Sequence, residues 1–224
     1  MSVLGKLRPS DDRPSGAVEA RRGPAPANLR RSNGLKDFLW LMPEEPQGRL
    51  LDLGPVSQAT VTFFTDRGFR VSAEDLLRGW SEFESTEESE RRKRGENAGP
   101  DPAALANAFL ETSLRFGPAS FHGVLAWDVF DYLENELLAP LASRLHDLLA
   151  TGGVLLAAFH DSAEIEPAHY RVHDAETIEM VPARRTQTVR RVFQNREILA
   201  LFAGFRSSRT YVGRDHLREA LFLK

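Results

Sequence analysis

The sequence predicts an α/β protein built on a mostly parallel sheet, because short apolar runs alternate with helical stretches. The clearest unit spans residues 48–77, where one apolar run ends in Asp52-Leu53-Gly54 and a second ends in Glu74-Asp75, with a helical stretch between them. Two further apolar runs, residues 121–127 and 154–159, are nearly continuous. Runs of this kind are typical of parallel strands that are covered on both faces.

The helices and the closing strands follow from periodicity and turn residues. Residues 33–42 form a short apolar helical stretch that Pro43 stops. Asp101 is placed to cap a helix that begins at Pro102. Leucines recur at helical spacing between residues 134 and 150.

The last third of the chain predicts a small β cover and a final hairpin. Residues 170–172 and 186–190 have the composition of paired strands. A helix is expected from Asn195, and residues 207–212 and 218–223 are expected to form two antiparallel closing strands.

We expect one domain, residues 33–224, preceded by a flexible basic tail over residues 1–32. Residues 1–36 carry eight Lys or Arg against three Asp or Glu. Because of this excess of positive charge, the alternative that the segment is an arm that binds nucleic acid or a protein partner stays open. Within the domain, residues 80–101 predict a charged surface insertion, part of it helical, and residues 161–194 predict the cover segment.

Composition excludes several classes of function. The chain has no cysteine, so thiolate chemistry and disulfides are absent. No apolar run approaches the roughly 18 residues of a membrane span, and the first residues lack the apolar core of a secretory signal. We therefore expect a cytoplasmic protein without membrane contact. The sequence also lacks GxSxG, GxxxxGK[ST] and a full GxGxxG, so hydrolase, P-loop and dinucleotide dehydrogenase functions have little support.

The carboxylates that follow the first two strands predict a ligand site. Open parallel sheets bind ligands at the carboxyl ends of their strands, where a glycine lets the backbone approach and a carboxylate bonds ribose hydroxyls. Asp52, Gly54 and Asp75 occupy those positions. The alternative is that both carboxylates are solvated turn or capping residues.

Five segments in order resemble class I S-adenosylmethionine-dependent methyltransferases. They are LLDLG (50–54), FRVSAEDL (69–76), FHGVLAWDVFDYL (121–133), LHDLLATGGVLLAAFH (145–160) and REILALFAGF (196–205). The resemblance implies a three-layer Rossmann-like sandwich with a mostly parallel seven-stranded sheet and a C-terminal antiparallel hairpin. It also implies S-adenosylmethionine as cofactor and methyl transfer to an unidentified acceptor.

The resemblance also assigns roles to individual residues. Asp52 and Gly54 would lie beside the methionine part of the cofactor, Asp75 would bond the ribose, and Leu76 would touch the adenine. The Trp127-Asp128 pair would lie near the transferable methyl. For an acceptor that must lose a proton, Asp128 and His160 are the candidate bases. No metal site is expected, since the histidines and carboxylates of residues 160–174 match no ligand spacing.

The glycine loop departs from the family pattern. It contains Gly54-Pro55-Val56-Ser57-Gln58 where the family has Gly-x-Gly-x-Gly, so only the first glycine is kept. A catalytically inactive, methyltransferase-like binding or scaffold protein is therefore the alternative hypothesis. A weaker one is an RNA-associated protein that uses the eight arginines of residues 184–214.

Overall fold

The computed structural model describes residues 28–42, 47–96, 98–183, 188–213 and 215–224. Within them the strands are β1 (Leu29–Arg31), β2 (Arg49–Asp52), β3 (Arg70–Ala73), β4 (Phe121–Trp127), β5 (Leu149–His160), β6 (Ala168–Asp174), β7 (Thr177–Pro182), β8 (Ser207–Val212) and β9 (Leu217–Leu223). The helices are α1 (Asn33–Leu41), α2 (Gln58–Thr65), α3 (Leu76–Arg94), α4 (Pro102–Ser113), α5 (Val129–Tyr132), α6 (Asn135–Leu148) and α7 (Asn195–Leu201).

The main sheet has the strand order β3-β2-β4-β5-β9-β8. The first four strands in that order are mutually parallel, and β9 and β8 run antiparallel to their neighbours. The order reverses between β2 and β4, which leaves a crevice at the carboxyl ends of the strands. The predicted Rossmann-like α/β fold with a C-terminal antiparallel hairpin is confirmed.

The expected seventh strand is absent from the described residues, because the chain after β3 is helical instead. Residues 76–94 form α3 and residues 102–113 form α4. The sequence of α3 is rich in Glu and Arg, which favour helix, and ion pairs such as Arg78–Glu82 and Glu90–Lys93 join side chains on its surface. The predicted insertion over residues 80–101 therefore forms most of one long helix, whose first turn packs in the core through Leu76 and Leu77.

A second sheet, of order β1-β7-β6, lies over the main sheet as the predicted cover. Its hairpin differs from the prediction, since β6 pairs with β7 at residues 177–182 and residues 188–190 are not in a strand. Residues 186–187 lie outside the described residues. Of the predicted tail, residues 1–27 also lie outside them, and Leu29–Arg31 form β1.

Buried polar contacts fix the small sheet to the large one. Glu219 of β9 accepts hydrogen bonds from the hydroxyl of Ser32 and the amide of Gly34, and the Arg30 guanidinium lies 2.9 Å from its carboxylate. Ser32 also caps α1 by accepting from the amide of Leu35. The segment that follows β1 is thereby attached to the edge of the core.

Hydrophobic clusters cover both faces of the main sheet. One contains the apolar faces of α3, α4, α6 and α7, and the other contains those of α1, α2 and β6. This gives three layers, the middle one being the main sheet. Strand β6 packs against α2, where the amide of Val172 donates to the hydroxyl of Thr60 at 3.0 Å. The small sheet therefore extends toward the carboxyl ends of β2 and β4, where the predicted site lies.

Candidate functional site

A cavity of about 370 Å³ opens at the carboxyl ends of β2, β3 and β4. Its volume falls within the usual range of small-molecule sites. Gly54, Asp75 and Asp128 line it from three successive strand ends, and Tyr170 lines it from the small sheet. The remaining lining residues are Leu53, Pro55, Leu77, Arg78, Ser81, Glu82, Trp127, Val129 and His169. The sequence-predicted edge of the sheet is therefore the edge that carries the cavity.

Gly54 is required by a close contact, and the group that makes the contact is a protein side chain. A Cβ atom built on Gly54 would lie 2.9 Å from Cδ1 of Trp127. The indole thus packs directly over the glycine. The exposed loop residue Val56, 73% accessible, lies outside the cavity lining, and Ser57 caps α2 by accepting from the amide of Thr60.

Asp52 lies beneath the cavity wall and does not line it. Its Oδ1 accepts a hydrogen bond from the Trp127 indole at 2.7 Å and from the Gly54 amide at 3.0 Å. Only 2% of Asp52 is exposed. Burial raises the pKa of this carboxyl to about 7, against the opposing effect of the two hydrogen bonds, and the nearby charge of Asp75 adds to the rise.

Trp127 is held in an uncommon backbone conformation. Its φ is +41°, in the left-handed region that favours glycine. A register shift between Leu125 and Trp127 interrupts the pairing of β4 with β5 at the same place. The indole stacks on the ring of Tyr170, with centroids 5.4 Å apart and planes 10° apart. Bulges and strained residues of this kind re-aim side chains next to functional sites.

Behind Tyr170 lies a chain of buried polar groups. The Tyr170 hydroxyl is 3.4 Å from Asp128 Oδ2 and 3.3 Å from His160 Nε2. On the other side of the imidazole, His160 Nδ1 is 2.9 Å from Asp131 Oδ2, which also accepts the His160 amide at 2.7 Å. All four side chains are buried, and His160 is 4% exposed. Of the two described side chains that the His160 ring contacts by hydrogen bonds, Asp131 and Tyr170, it is Tyr170 that lines the cavity.

Asp131 is held in place by the loop before α7. Its carbonyl accepts the amides of Arg190 and Arg191, at 2.8 and 3.3 Å. Burial raises the pKa of the Asp131 carboxyl to about 6, although the bonds from His160 oppose the rise. Its Oδ1 is buried and has no hydrogen-bond partner in the part of the chain that the structure describes.

Asp75 stands between two cavities. It caps α3 by accepting from the Arg78 amide at 3.3 Å, and it lines both the first cavity and a second one of about 380 Å³. The second cavity has apolar and aromatic walls from Leu76, Phe109 and Phe116. Leu76, expected beside an adenine, therefore lies on the far side of Asp75 from Trp127 and Asp128.

The structure brings Gly54, Asp75, Trp127 and Asp128 into one cavity, as their positions at strand ends predict. Sequence reasoning missed Tyr170 and Asp131. Tyr170 lies in a strand of the cover, and nothing local shows that this strand folds back over β4. Asp131 is 29 residues from His160 in the sequence. The available signal for a site role of Asp131 is that it follows Asp128, the residue just after β4, by three positions.

The described arginines of residues 184–214 are largely paired with carboxylates. Arg190 is 3.1 Å from Glu134, Arg191 is 3.2 Å from Glu197, and Arg209 is 2.8 Å from Asp37. The three carboxylates lie just before α6, on α7 and on α1, so the basic residues that pair with them are spread over the surface. Among the helices in the described residues, none combines the length and apolarity that a membrane crossing needs.

Comparison with known proteins finds similarity among solved structures only. No family model and no curated protein matches the chain. The solved structures include a 1,6-didemethyltoxoflavin-N1-methyltransferase from Burkholderia thailandensis with bound S-adenosylhomocysteine. It is 16% identical to this chain, the match covers 86% of this chain and 77% of that chain, and the TM-score is 0.44. They also include an S-adenosylmethionine-dependent methyltransferase from Mesorhizobium loti (13% identical, 84% and 96% covered, TM-score 0.44). Another is from Methanosarcina mazei (13% identical, 80% and 93% covered, TM-score 0.44). Because each of these three scores is below 0.5, the fold assignment rests on the strand order given above.

Proposed function

We propose that this protein is an S-adenosylmethionine-dependent methyltransferase that acts on an unidentified acceptor. The observation that carries the proposal is the cavity at the strand ends, where Gly54, Asp75 and Asp128 from three successive strands converge. A site at this point of a doubly wound sheet is the usual position for a nucleotide-like ligand.

The residues of the cavity fit such a cofactor. S-adenosylmethionine is positively charged at its sulfur and its amino group and negatively charged at its carboxylate. The cavity presents the carboxylates of Asp75 and Asp128, while Glu82 is paired with Arg78 at 2.7 Å. Asp75 is placed to accept from ribose hydroxyls. The second cavity beyond it has room for a flat base, with Leu76, Phe109 and Phe116 as apolar walls and polar residues such as Thr112 and Ser113 at its rim.

When bound, the cofactor supplies an activated methyl group. The chain's own contribution is to position the acceptor in line with that methyl and to exclude water, which is catalysis by proximity. Trp127 and Tyr170 form an aromatic wall beside Asp128 for this purpose.

The alternative is a catalytically inactive, methyltransferase-like binding protein, and one observation favours it. The Trp127 indole covers Gly54 at the point where a ligand would approach the backbone. Pro55 also removes one amide donor from the same loop. A protein of this kind could hold a ligand in the outer part of the cavity without transferring a group.

Calorimetric titration with S-adenosylmethionine and with S-adenosylhomocysteine tests the proposal. Micromolar affinity, about −8 kcal/mol, is expected. The Asp75→Ala variant should weaken binding by about 1–3 kcal/mol, as the loss of hydrogen bonds to a charged group does. Asp101→Ala is the matched control, because Asp101 also caps a helix but lines neither cavity.

The outcomes separate the alternatives. Equal affinities of the wild type and the Asp75→Ala variant would contradict the role of Asp75 in holding the ribose. Absence of binding at millimolar ligand would contradict the methyltransferase proposal as a whole. Tight binding without transfer of label from methyl-tritiated cofactor to any acceptor in a broad panel would favour the inactive binding protein.

A further inference from the structure

We infer that Asp131, His160 and Tyr170 form a proton-accepting relay that opens onto the cavity through Tyr170. The inference rests on the proposed function and narrows its acceptor to a protic nucleophile, one that carries its hydrogen on nitrogen or oxygen. In this arrangement Tyr170 is the catalytic residue because it lines the cavity. His160 and Asp131 act through it as positioning residues.

The hydrogen bonds fix the direction of the relay. Asp131 Oδ2 accepts from the backbone amide of His160, so this oxygen acts as an acceptor. His160 Nδ1, 2.9 Å from the same oxygen, is then the donor. In the tautomer with its proton on Nδ1, the imidazole has its lone pair on Nε2, 3.3 Å from the Tyr170 hydroxyl. That hydroxyl has Asp128 Oδ2 at 3.4 Å as a second acceptor, and the relay uses the path to Nε2.

The proton balance is complete within these groups. As the acceptor's lone pair forms the bond to the methyl carbon, the carbon–sulfur bond breaks and its electrons remain on sulfur. The acceptor's proton passes to the Tyr170 oxygen, and the proton of Tyr170 passes to His160 Nε2. The imidazolium so formed is stabilised by the Asp131 carboxylate, and it returns its proton to water by way of Tyr170 before the next turnover.

A purely structural network accounts less well for Asp131. Buried polar atoms are nearly always hydrogen-bonded, yet Asp131 Oδ1 has no partner among the described residues. Asp128, at the far end of the chain of contacts, lies at the cavity beside Tyr170. A buried carboxylate–imidazole pair that ends at a cavity is an arrangement suited to proton transfer.

The charged surroundings of His160 are defined. Asp131 contacts its Nδ1, and Tyr170 at its Nε2 links it to Asp128. The next residue, Asp161, is bonded to His216 at 2.8 Å and so is occupied elsewhere.

Long-range proton–nitrogen NMR of the histidine-labelled full chain tests the relay without an acceptor. The His160 signals are assigned by their loss in the His160→Gln variant. We expect the proton on Nδ1, and we expect the Nε2 resonance to move in Tyr170→Phe, which keeps the ring on Trp127 but loses the hydroxyl. The control is Tyr211→Phe, whose hydroxyl bonds to Asp37 and should leave the His160 signals unchanged. A proton on Nε2, or an Nε2 resonance that Tyr170→Phe does not move, would overturn the relay.

Methyl transfer to two panels of small acceptors tests the acceptor class. Methyl-tritiated S-adenosylmethionine is offered with phenols and imidazoles, or with thioethers and tertiary amines. Label is expected in the first panel only, with a rate about a hundredfold lower in His160→Gln and Tyr170→Phe. His160→Gln should keep its affinity for S-adenosylhomocysteine, since His160 does not line the cavity.

Failure of this inference is distinguishable from failure of the proposed function. Label confined to the second panel, or full rates in both variants, would overturn the relay and leave methyl transfer intact. A wild type that binds neither form of the cofactor would overturn methyl transfer and the acceptor class with it. The NMR result would still decide whether the relay exists.

Discussion

Replacing Asp52 with asparagine should make the protein more stable at neutral and alkaline pH. Asp52 is buried, and its pKa is raised from 3.8 to about 7 in the folded chain. Between these two values the folded state keeps a proton that the unfolded state has lost. The free energy of unfolding of the wild type therefore falls as the pH rises through this window, and the contribution of Asp52 is constant above it.

The size of the effect follows from the same two pKa values. They differ by roughly three pKa units, and each unit corresponds to about 1.4 kcal/mol, which gives an upper bound of about 4 kcal/mol. Asparagine has nearly the same shape and can still accept from the Gly54 amide and the Trp127 indole. The variant should thus match the wild type within about 1 kcal/mol near pH 4 and exceed it by about 2–4 kcal/mol near pH 8.

Urea unfolding followed by circular dichroism, between about pH 4 and about pH 8, measures this difference. Asp131, whose pKa is also raised, is present in both proteins and cancels in the comparison. Asp66→Asn is the matched control, since it removes one carboxylate from an exposed helix end. If the difference between Asp52→Asn and the wild type stays constant with pH, the raised pKa of Asp52 is wrong. A variant that is less stable than the wild type near pH 8 would show that the ionised carboxylate stabilises the fold.

Three further substitutions test other contacts. Trp127→Phe removes the indole donor to Asp52 and should lower the free energy of unfolding by about 1–3 kcal/mol in urea titrations. An unchanged free energy of unfolding would mean that this hydrogen bond makes no net contribution to stability. Val56→Gly should bind S-adenosylhomocysteine with an affinity within about twofold of the wild type, or about 0.4 kcal/mol, because the Val56 side chain lies outside the cavity. A large gain in calorimetric affinity would show that this side chain obstructs the ligand. Ser32→Ala removes the cap of α1 and a bond to buried Glu219, so a loss of about 1–3 kcal/mol is expected in urea; a loss below 0.5 kcal/mol would contradict the anchoring role of Ser32.

Local patterns were enough to predict the parallel core of the fold. Strands β2, β4 and the end of β5 are buried on both faces, so each appears in the sequence as a continuous apolar run. Their carboxyl ends lie at one edge of the sheet for geometric reasons, which is why Gly54, Asp75 and Asp128 could be assigned to one site before the structure was known.

The rest of the fold depended on competition between local and family patterns. The family pattern led to an expected seventh strand. Residues 76–113 are instead rich in Glu, Arg and Ala, which favour helix, and α3 and α4 form there. The hairpin of the cover was displaced for a similar reason. Strand β6 pairs with the segment that follows it immediately, residues 177–182, because a short connection closes at the lowest entropic cost.

The contacts inside the site could not be predicted, because they join distant parts of the chain. The bond from Trp127 to Asp52 spans 75 residues, and the bond from Val172 to Thr60 spans 112. Neither contact leaves a mark on local periodicity. Gly54 shows the consequence most clearly, since the sequence correctly indicated a close approach to this glycine but assigned it to a ligand, and the structure assigns it to the Trp127 indole.

Trp127 therefore connects the two hypotheses about function. Its indole is held on one side by the buried Asp52 carboxyl and on the other by the ring of Tyr170, in a backbone conformation that costs free energy. Trp127 is also part of a hydrophobic core cluster, so these two contacts fit a packing role as well as a ligand-binding one. The indole also covers Gly54, in a loop that keeps one of the three family glycines, so cofactor titration and label transfer together decide between the methyltransferase proposal and the inactive binding protein.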